Sequence, residues 1–194
     1  MTEAEWLKCR EPAKMLDYVL RKSSPRRLRL FAVACPRLLW PETLEESART
    51  LLDVAEGLAD EDPVIHPLFD LRTLAYPVGI RWTIEEDAAA AAARWAHGVG
   101  LTFTPQENAA RHQWVRELFG NPFRPIAMDR AWLSATVCQL SASIYVERGF
   151  ERLPILADAL EDAGCTAGEL LKHLRQPSPH VRGCWALDLV LGKF

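Results

Sequence analysis

Helix-start signals recur along this chain, and they constrain its fold more than any other feature of the sequence. Many pair a capping hydroxyl with a carboxylate three residues later, and together these groups satisfy two backbone N–H groups at a helix start. Such pairs stand at Thr2–Glu5, Thr83–Glu86, Thr104–Glu107 and Thr166–Glu169. Between the signals apolar residues recur every three or four positions, and no segment alternates as a half-buried strand does. The sequence therefore predicts an all-α fold, a compact bundle of roughly nine helices with short connections.

Proline and glycine mark several of the predicted helix ends. Proline at the first helical position predicts starts at Pro12, Pro25 and Pro179. Pro36 is expected to kink or end the third helix, because proline lacks the N–H that an interior position donates. Later helices are predicted over 135–147, 151–163, 167–175 and 179–191, the last of them ending at Gly192.

The fourth helix, over about 42–58, carries an apolar stripe at helical spacing. Its members are Leu44, Ala48, Leu51, Leu52, Ala55 and Leu58. The chain of 194 residues is long enough to bury its own core, and we expect a single domain over 1–194. Prolines and a glycine interrupt the helical pattern over 61–82, which predicts an irregular crossing between two sub-lobes, 1–60 and 83–194.

Charge and cysteine content narrow the classes of protein to which the chain can belong. A net charge of −3 argues against a general polyanion binder. No run approaches the ~18 apolar residues of a membrane span, and the first residues carry acids where a secretion signal needs a basic segment. The five cysteines are widely spaced, which argues against a secreted disulfide framework. We therefore expect a cytoplasmic protein with no membrane partner.

Two cysteines and two histidines near the C-terminus form the sharpest candidate site. Cys165, His173, His180 and Cys184 are ligands that zinc accepts, and a tetrahedral site needs four of them. His180 and Cys184 are expected four residues apart on one helix face. The alternative is that Cys184 packs as a small apolar side chain and that His180 faces solvent or bonds a loop. His180 could also act as a general base near Arg182. No cofactor is expected unless these residues bind zinc.

A basic segment over 21–37 is the main concentration of positive charge in the sequence. It comprises Arg21, Lys22, Arg26, Arg27, Arg29 and Arg37. The segment surrounds a predicted helix start, where backbone N–H groups favour anions, so it could contact nucleic acid or an acidic partner. The alternative is a solvated helix face.

Several longer strings suggest a relationship. They are TEAEWLKCREPAKML and RRLRLFAVACPRLLW near the start, and FGNPFRP, RLPILADALEDAGC and PHVRGCWALDLVLGK in the C-terminal part. Together they resemble an uncharacterised family of bacterial proteins that pair such segments around a variable, often alanine-rich helical middle. The family has no assigned activity, so the resemblance implies an evolutionary relationship and no particular function. LPILADALEDAG also resembles a short helical module of bacterial proteins with signalling-like architecture.

These observations favour a non-enzymatic helical interaction module, a protein-binding subunit or regulator in a bacterial assembly. The sequence contains none of the motifs of zincins, P-loop proteins, dinucleotide-binding proteins or α/β-hydrolases. Two alternatives stay open. One is a nucleic-acid-associated accessory subunit that uses the basic segment. The other is a zinc-stabilised domain or an unrecognised enzyme built around His180 and Cys184.

Overall fold

A computed structural model describes residues 1–39, 46–60, 87–98, 103–177 and 179–193, without the side chains of 108–110. Within these ranges the chain is all-α, as predicted, with ten α-helices and two short 3-10 helices. The α-helices are α1 (Glu3–Lys8), α2 (Pro12–Leu20), α3 (Pro25–Leu39), α4 (Glu46–Ala59), α5 (Ala88–His97), α6 (Pro105–Phe119), α7 (Ala135–Glu147), α8 (Leu153–Asp162), α9 (Gly168–Leu174) and α10 (Trp185–Leu191). The 3-10 helices are Arg130–Trp132 and Phe150–Arg152.

The chain divides into two units, an N-terminal unit over Met1–Phe119 and a C-terminal unit over Gly120–Phe194. In the N-terminal unit α3 packs against α4, α5 and α6, and α2 packs against α5 and α6. In the C-terminal unit α8 packs against α7 and α9, and α10 contacts the same two helices. The predicted crossing over 61–82 lies outside the described residues, so the prediction of two sub-lobes there stays a prediction. The described helices on either side of it, α4 and α5, both belong to the N-terminal unit.

Several predicted caps are present. Thr2 and Glu5 form a capping box at the start of α1. At α6, the N–H of Thr104 donates to Glu107 at 2.6 Å and the N–H of Glu107 donates to the Thr104 hydroxyl at 3.2 Å. Gly192 ends α10 with φ +67°, as predicted. Local capping chemistry thus sets these helix ends.

The cap predicted for α9 and the start predicted for α10 are wrong. Thr166 caps nothing at α9, whose N-cap is Ala167 without a side-chain hydrogen bond. The last helix begins at Trp185 and not at Pro179. Residues 181–184 form a turn in which the N–H of Cys184 donates to the carbonyl of Val181 at 3.0 Å. Gly183 has φ +91° there, a left-handed conformation that a right-handed helix excludes.

Helices α3 and α4 bear on two further expectations. Pro36 does not end α3, which continues to Leu39, and the alternative that it kinks the helix stays a prediction. An interior proline removes one hydrogen bond, and the burial of Pro36 and of the residues around it offsets that loss. The stripe of α4 is buried at Ala48, Leu51, Leu52 and Ala55, whereas Leu58 is 58% exposed. Residues 40–45 and 83–86, with Leu44 and the predicted Thr83–Glu86 cap, lie outside the described residues. The described part of α5 is capped by Asp87.

Two arginines on α6, the buried Arg111 and the partly buried Arg116, join helices within the N-terminal unit. Arg111 donates to the carbonyl oxygens of Trp95 and Ala96 at the end of α5. Arg116 donates to the carbonyl oxygens of Trp6 and Cys9, both at 2.7 Å, at the end of α1. The last carbonyls of a helix have no partner within it and carry partial negative charge, so a guanidinium is a suitable donor. Burial lowers the pKa of both arginines.

The C-terminal unit is built around an apolar cluster from α7, α8, α9 and α10. Its fully buried members include Val137, Ile144, Leu156, Leu170 and Leu187. Trp185 is partly buried and packs against this cluster. Among the described helices of both units, none has the length and hydropathy needed to cross a bilayer.

Candidate functional sites

Three of the four predicted zinc ligands come together in the C-terminal unit. His173 lies in the last turn of α9, His180 lies in the connection that follows, and Cys184 is the N-cap of α10. One ligand atom from each side chain lies within 4.8 Å of those of the other two. Nε2 of His173 is 3.3 Å from Sγ of Cys184, and Nδ1 of His180 is 3.9 Å from the same sulfur.

The predicted reason for this proximity was wrong. His180 and Cys184 do not share a helix face, because α10 begins only at Trp185. The turn over 181–184 folds the connection back, and this turn is what brings the imidazole of His180 to the thiol. Pairing of α9 with α10 then brings His173 to the same sulfur.

Cys165 does not belong to this group. It is buried in the apolar cluster after Gly164, and its N–H donates to the carbonyl of Leu160 at 2.9 Å. Among the described residues, the side chains that converge closely enough to share one ion do not include Cys165. Its sequence position, just past a helix end, carried no information about the direction of the side chain.

Hydrogen bonding fixes the ring of His180. Its Nε2 lies 3.1 Å from the carbonyl oxygen of Gln176. A carbonyl only accepts, so Nε2 carries the hydrogen and, in the neutral ring, Nδ1 presents its lone pair. The ring of His173 lies between two aromatic neighbours, 5.2 Å from His180 and 5.0 Å from Trp185, centroid to centroid.

The surroundings of His180 give little support to the hypothesis that it acts as a general base. Arg182, its predicted neighbour in that role, lies over the ring of Tyr145 at 4.7 Å and donates to the Tyr145 carbonyl at 3.4 Å. The thiol nearest to His180 belongs to Cys184, whose exposed fraction is 0%. A nucleophile must reach its substrate, so this arrangement suits ion binding or packing better than covalent catalysis.

Two arginines of the basic segment pair with acids of their own unit. Arg26 pairs with Asp60 at 2.8 Å, and both side chains are largely buried. Arg37 pairs with Asp53 at 2.6 Å and with Glu56 at 3.0 Å. Arg21 and Lys22 are exposed, and Lys22 lies 4.5 Å from the centre of the Tyr18 ring. These ion pairs join α3 to α4. They also neutralise part of the positive charge that, from the sequence, could contact nucleic acid or an acidic partner.

One surface feature was missed by the sequence reasoning. Along the outer face of α7 runs an exposed, uncharged row made of Ala135, Cys138, Ala142 and Val146, which we call the α7 stripe. Val146 is 74% exposed. The available signal was the lack of any charged residue between Ala135 and Val146, a pattern more typical of a helix buried on all sides.

A polar row borders the α7 stripe. Ser143 donates to Glu147 at 2.9 Å, and Arg152 donates to both of them, at 2.9 Å and 2.7 Å. The stripe is therefore an apolar strip with an ordered, hydrogen-bonded edge.

Comparison of the chain with known protein families, with curated proteins and with solved structures finds no match. The resemblance to a bacterial family therefore rests on the quoted strings alone.

Proposed function

We propose that this protein is a non-enzymatic helical module that binds another polypeptide through the α7 stripe. The observation that carries the proposal is the exposure of Val146 at the end of a three-turn row without charge. Surface helices normally present charged residues to water, and a contiguous apolar face more often marks a contact surface.

The border of the stripe supports the same function. Protein interfaces combine an apolar centre with a polar, hydrogen-bonded rim. Here the network of Ser143, Glu147 and Arg152 supplies such a rim along one side. Ile155 on α8, the helix that packs against α7, is 57% exposed and offers a second apolar contact in the same unit. The partner chemistry that fits is the apolar face of a helix.

The other candidate functions have less support. A nucleic-acid contact would depend on the basic segment, where Arg26 and Arg37 already pair with acids. Arg21 and Lys22 remain as exposed cations for that alternative. It predicts retention on immobilised DNA or RNA that falls steeply with added salt, because phosphate contacts release counterions.

Site-specific crosslinking tests the proposal. A photo-crosslinking amino acid is placed at position 142 in the stripe and, as the matched control, at the exposed Asp162 position of the same unit. We expect a discrete crosslinked partner from position 142 only, in the source cells and at native expression.

A second substitution makes the test specific. Val146→Glu places a charge in the stripe and should abolish the crosslink from position 142 without changing the helical circular dichroism spectrum. Equal crosslinking from both positions, or a crosslink that survives Val146→Glu, would contradict the proposal. Sedimentation of the purified chain shows whether the partner is a second copy.

A further inference from the structure

We infer that His173, His180 and Cys184 form a binding site for a divalent transition-metal ion, with Zn(II) as the best fit. This goes beyond the proposed function, because it assigns an ion to a part of the C-terminal unit other than the α7 stripe. The assignment rests on three observations: the separations of the ligand atoms, the fixed tautomer of His180 and the burial of Cys184.

The separations match those of a tetrahedral ion. With Zn–N bonds of about 2.0–2.1 Å and a Zn–S bond of about 2.3 Å, nitrogen and sulfur ligands lie roughly 3.5–3.6 Å apart. The two nitrogen-to-sulfur separations here are 3.3 Å for His173 and 3.9 Å for His180. They lie on either side of the ideal value, so small side-chain rotations bring both to it.

The ring of His180 is prepared for coordination through Nδ1. Histidine ligands usually donate the hydrogen of the other ring nitrogen to a carbonyl or a carboxylate, which fixes the tautomer and the ring orientation. The bond from Nε2 of His180 to the Gln176 carbonyl, at 3.1 Å, does this from within the same connection. Nδ1 is left as the nitrogen that faces the sulfur of Cys184.

The burial of Cys184 favours a bound cation over a free thiolate at this position. The thiol has no exposed surface and sits at the edge of the apolar cluster, where water cannot solvate a thiolate. A divalent ion supplies the missing stabilisation: it replaces the thiol proton, which is released to solvent, and the sulfur binds as thiolate. Imidazole and thiolate ligands favour zinc, cobalt and copper over magnesium and calcium.

An ion at this position would join two helices. His173 belongs to the last turn of α9, Cys184 precedes α10, and His180 lies in the connection between them. Bound metal would fix the conformation of this connection and anchor the start of α10. Three protein ligands leave the fourth position of a tetrahedral ion to a water molecule, and the role assigned to the ion is to hold this connection in place.

Cobalt spectroscopy of the full chain tests the site. Protein stripped with a chelator and kept reduced with a phosphine is titrated with Co(II). We expect saturation at about one equivalent, with a thiolate-to-cobalt charge-transfer band and the intense d–d bands of a tetrahedral site, both removed by added Zn(II). Calcium and magnesium should leave the spectrum unchanged.

Variants assign the ligands. Cys184→Ala should lose the charge-transfer band, whereas Cys165→Ala, which removes a second buried thiol of the same unit, should keep it. His180→Gln alters a partly exposed residue of the connection and should weaken Co(II) affinity at least ~10-fold with an unchanged circular dichroism spectrum.

Three outcomes would overturn the inference. One is a wild-type protein without a charge-transfer band, which would leave a thiol–imidazole hydrogen bond as the whole explanation of the cluster. Another is wild-type affinity in a folded His180→Gln protein. The third is loss of the band in a folded Cys165→Ala protein, which would require a different ligand set.

Discussion

Two helix C-termini of the N-terminal unit are contacted by side chains of a third helix, whereas three helix C-termini of the C-terminal unit are closed by the chain alone. In the N-terminal unit, Arg116 of α6 reaches the end of α1 and Arg111 of the same helix reaches the end of α5, where Gly98, with φ +67°, also bonds back to the carbonyl of Arg94 at 2.8 Å. In the C-terminal unit, the chain itself closes α7, α8 and α10. At each of these ends a residue with positive φ turns the backbone so that a following N–H bonds back to the helix. The positive-φ residues are Arg148, Gly164 and Gly192.

Helix ends can therefore be stabilised either by a distant side chain or by the residues that directly follow the helix. A local cap depends on one or two residues and acts within its own helix. The arginines of α6 instead make the ends of α1 and α5 depend on a third helix. Substitutions in α6 should therefore disturb several helices of the N-terminal unit at once, whereas cap substitutions in the C-terminal unit should have small, separate effects.

The largest expected effect comes from the core of the N-terminal unit. Leu51→Ala should lower the free energy of unfolding by ~2–5 kcal/mol, the usual result when a buried leucine leaves a cavity, because Leu51 is 1% exposed. Leu58→Ala, on the exposed side of the same helix, should change it by less than ~0.5 kcal/mol. Urea unfolding of both variants makes the comparison. Equal losses would show that the orientation of α4 is wrong.

The next largest effect comes from removing the hydrogen bonds that Arg111 makes to the end of α5. Arg111→Met should cost ~2–3 kcal/mol, because the carbonyls of Trp95 and Ala96 lose a charged donor. Arg111→Lys should recover only part of this, since an ammonium lacks the planar fork of the guanidinium. Arg10→Met, at an exposed position in the same unit, is the control. If Arg111→Met leaves the free energy of unfolding unchanged in thermal and urea unfolding, the proposed long-range stabilisation of α5 by α6 is wrong.

The local caps of the C-terminal unit can be tested with a pair of glycines. Gly192→Ala should cost ~1–2 kcal/mol, because φ is +67° there and the strain is conformational, with no atom within 4 Å of an added Cβ. Gly168→Ala lies at the start of α9 with equally open space and no positive φ, and it should stabilise by ~0.4–1 kcal/mol. Opposite signs in parallel unfolding curves are the expected result, and equal signs would contradict it.

The smallest effects distinguish a threonine that caps from one that does not. Thr104→Ala removes the acceptor for the Glu107 N–H and should cost ~1 kcal/mol. Thr166→Ala should be close to neutral, because α9 has no side-chain cap. Calorimetry of the two variants compares them directly. A larger loss at Thr166 would restore the capping role that the sequence predicted for it.

The sequence correctly predicted the structural features that depend on residues close together in the chain. The capping boxes at Thr2 and Thr104, the end of α10 at Gly192 and the buried stripe of α4 all follow from short-range patterns. The roles of Arg111 and Arg116 could not be predicted in this way. Their acceptors lie 15 to 110 residues away in the chain, and no periodicity encodes that contact.

The candidate metal site shows the same limit. Its residue types were visible in the sequence, but their geometry depends on a turn over 181–184, where the sequence predicted a helix that begins at Pro179. Cys165 was included because of its spacing and then proved to be part of the apolar cluster. The α7 stripe was missed because a helix without charge is read as buried until its packing partners are known.

Hydrogen exchange of the full chain, with and without Zn(II), tests most directly the claim that an ion acts locally on the C-terminal unit. We expect zinc to slow amide exchange in peptides over 170–192, which contain the last turn of α9 and all of α10. Peptides over 1–39, in the N-terminal unit, should be unchanged. A Cys184→Ala protein should show no zinc effect. Unchanged exchange over 170–192 in the wild-type protein, or slower exchange only in the N-terminal unit, would contradict the account.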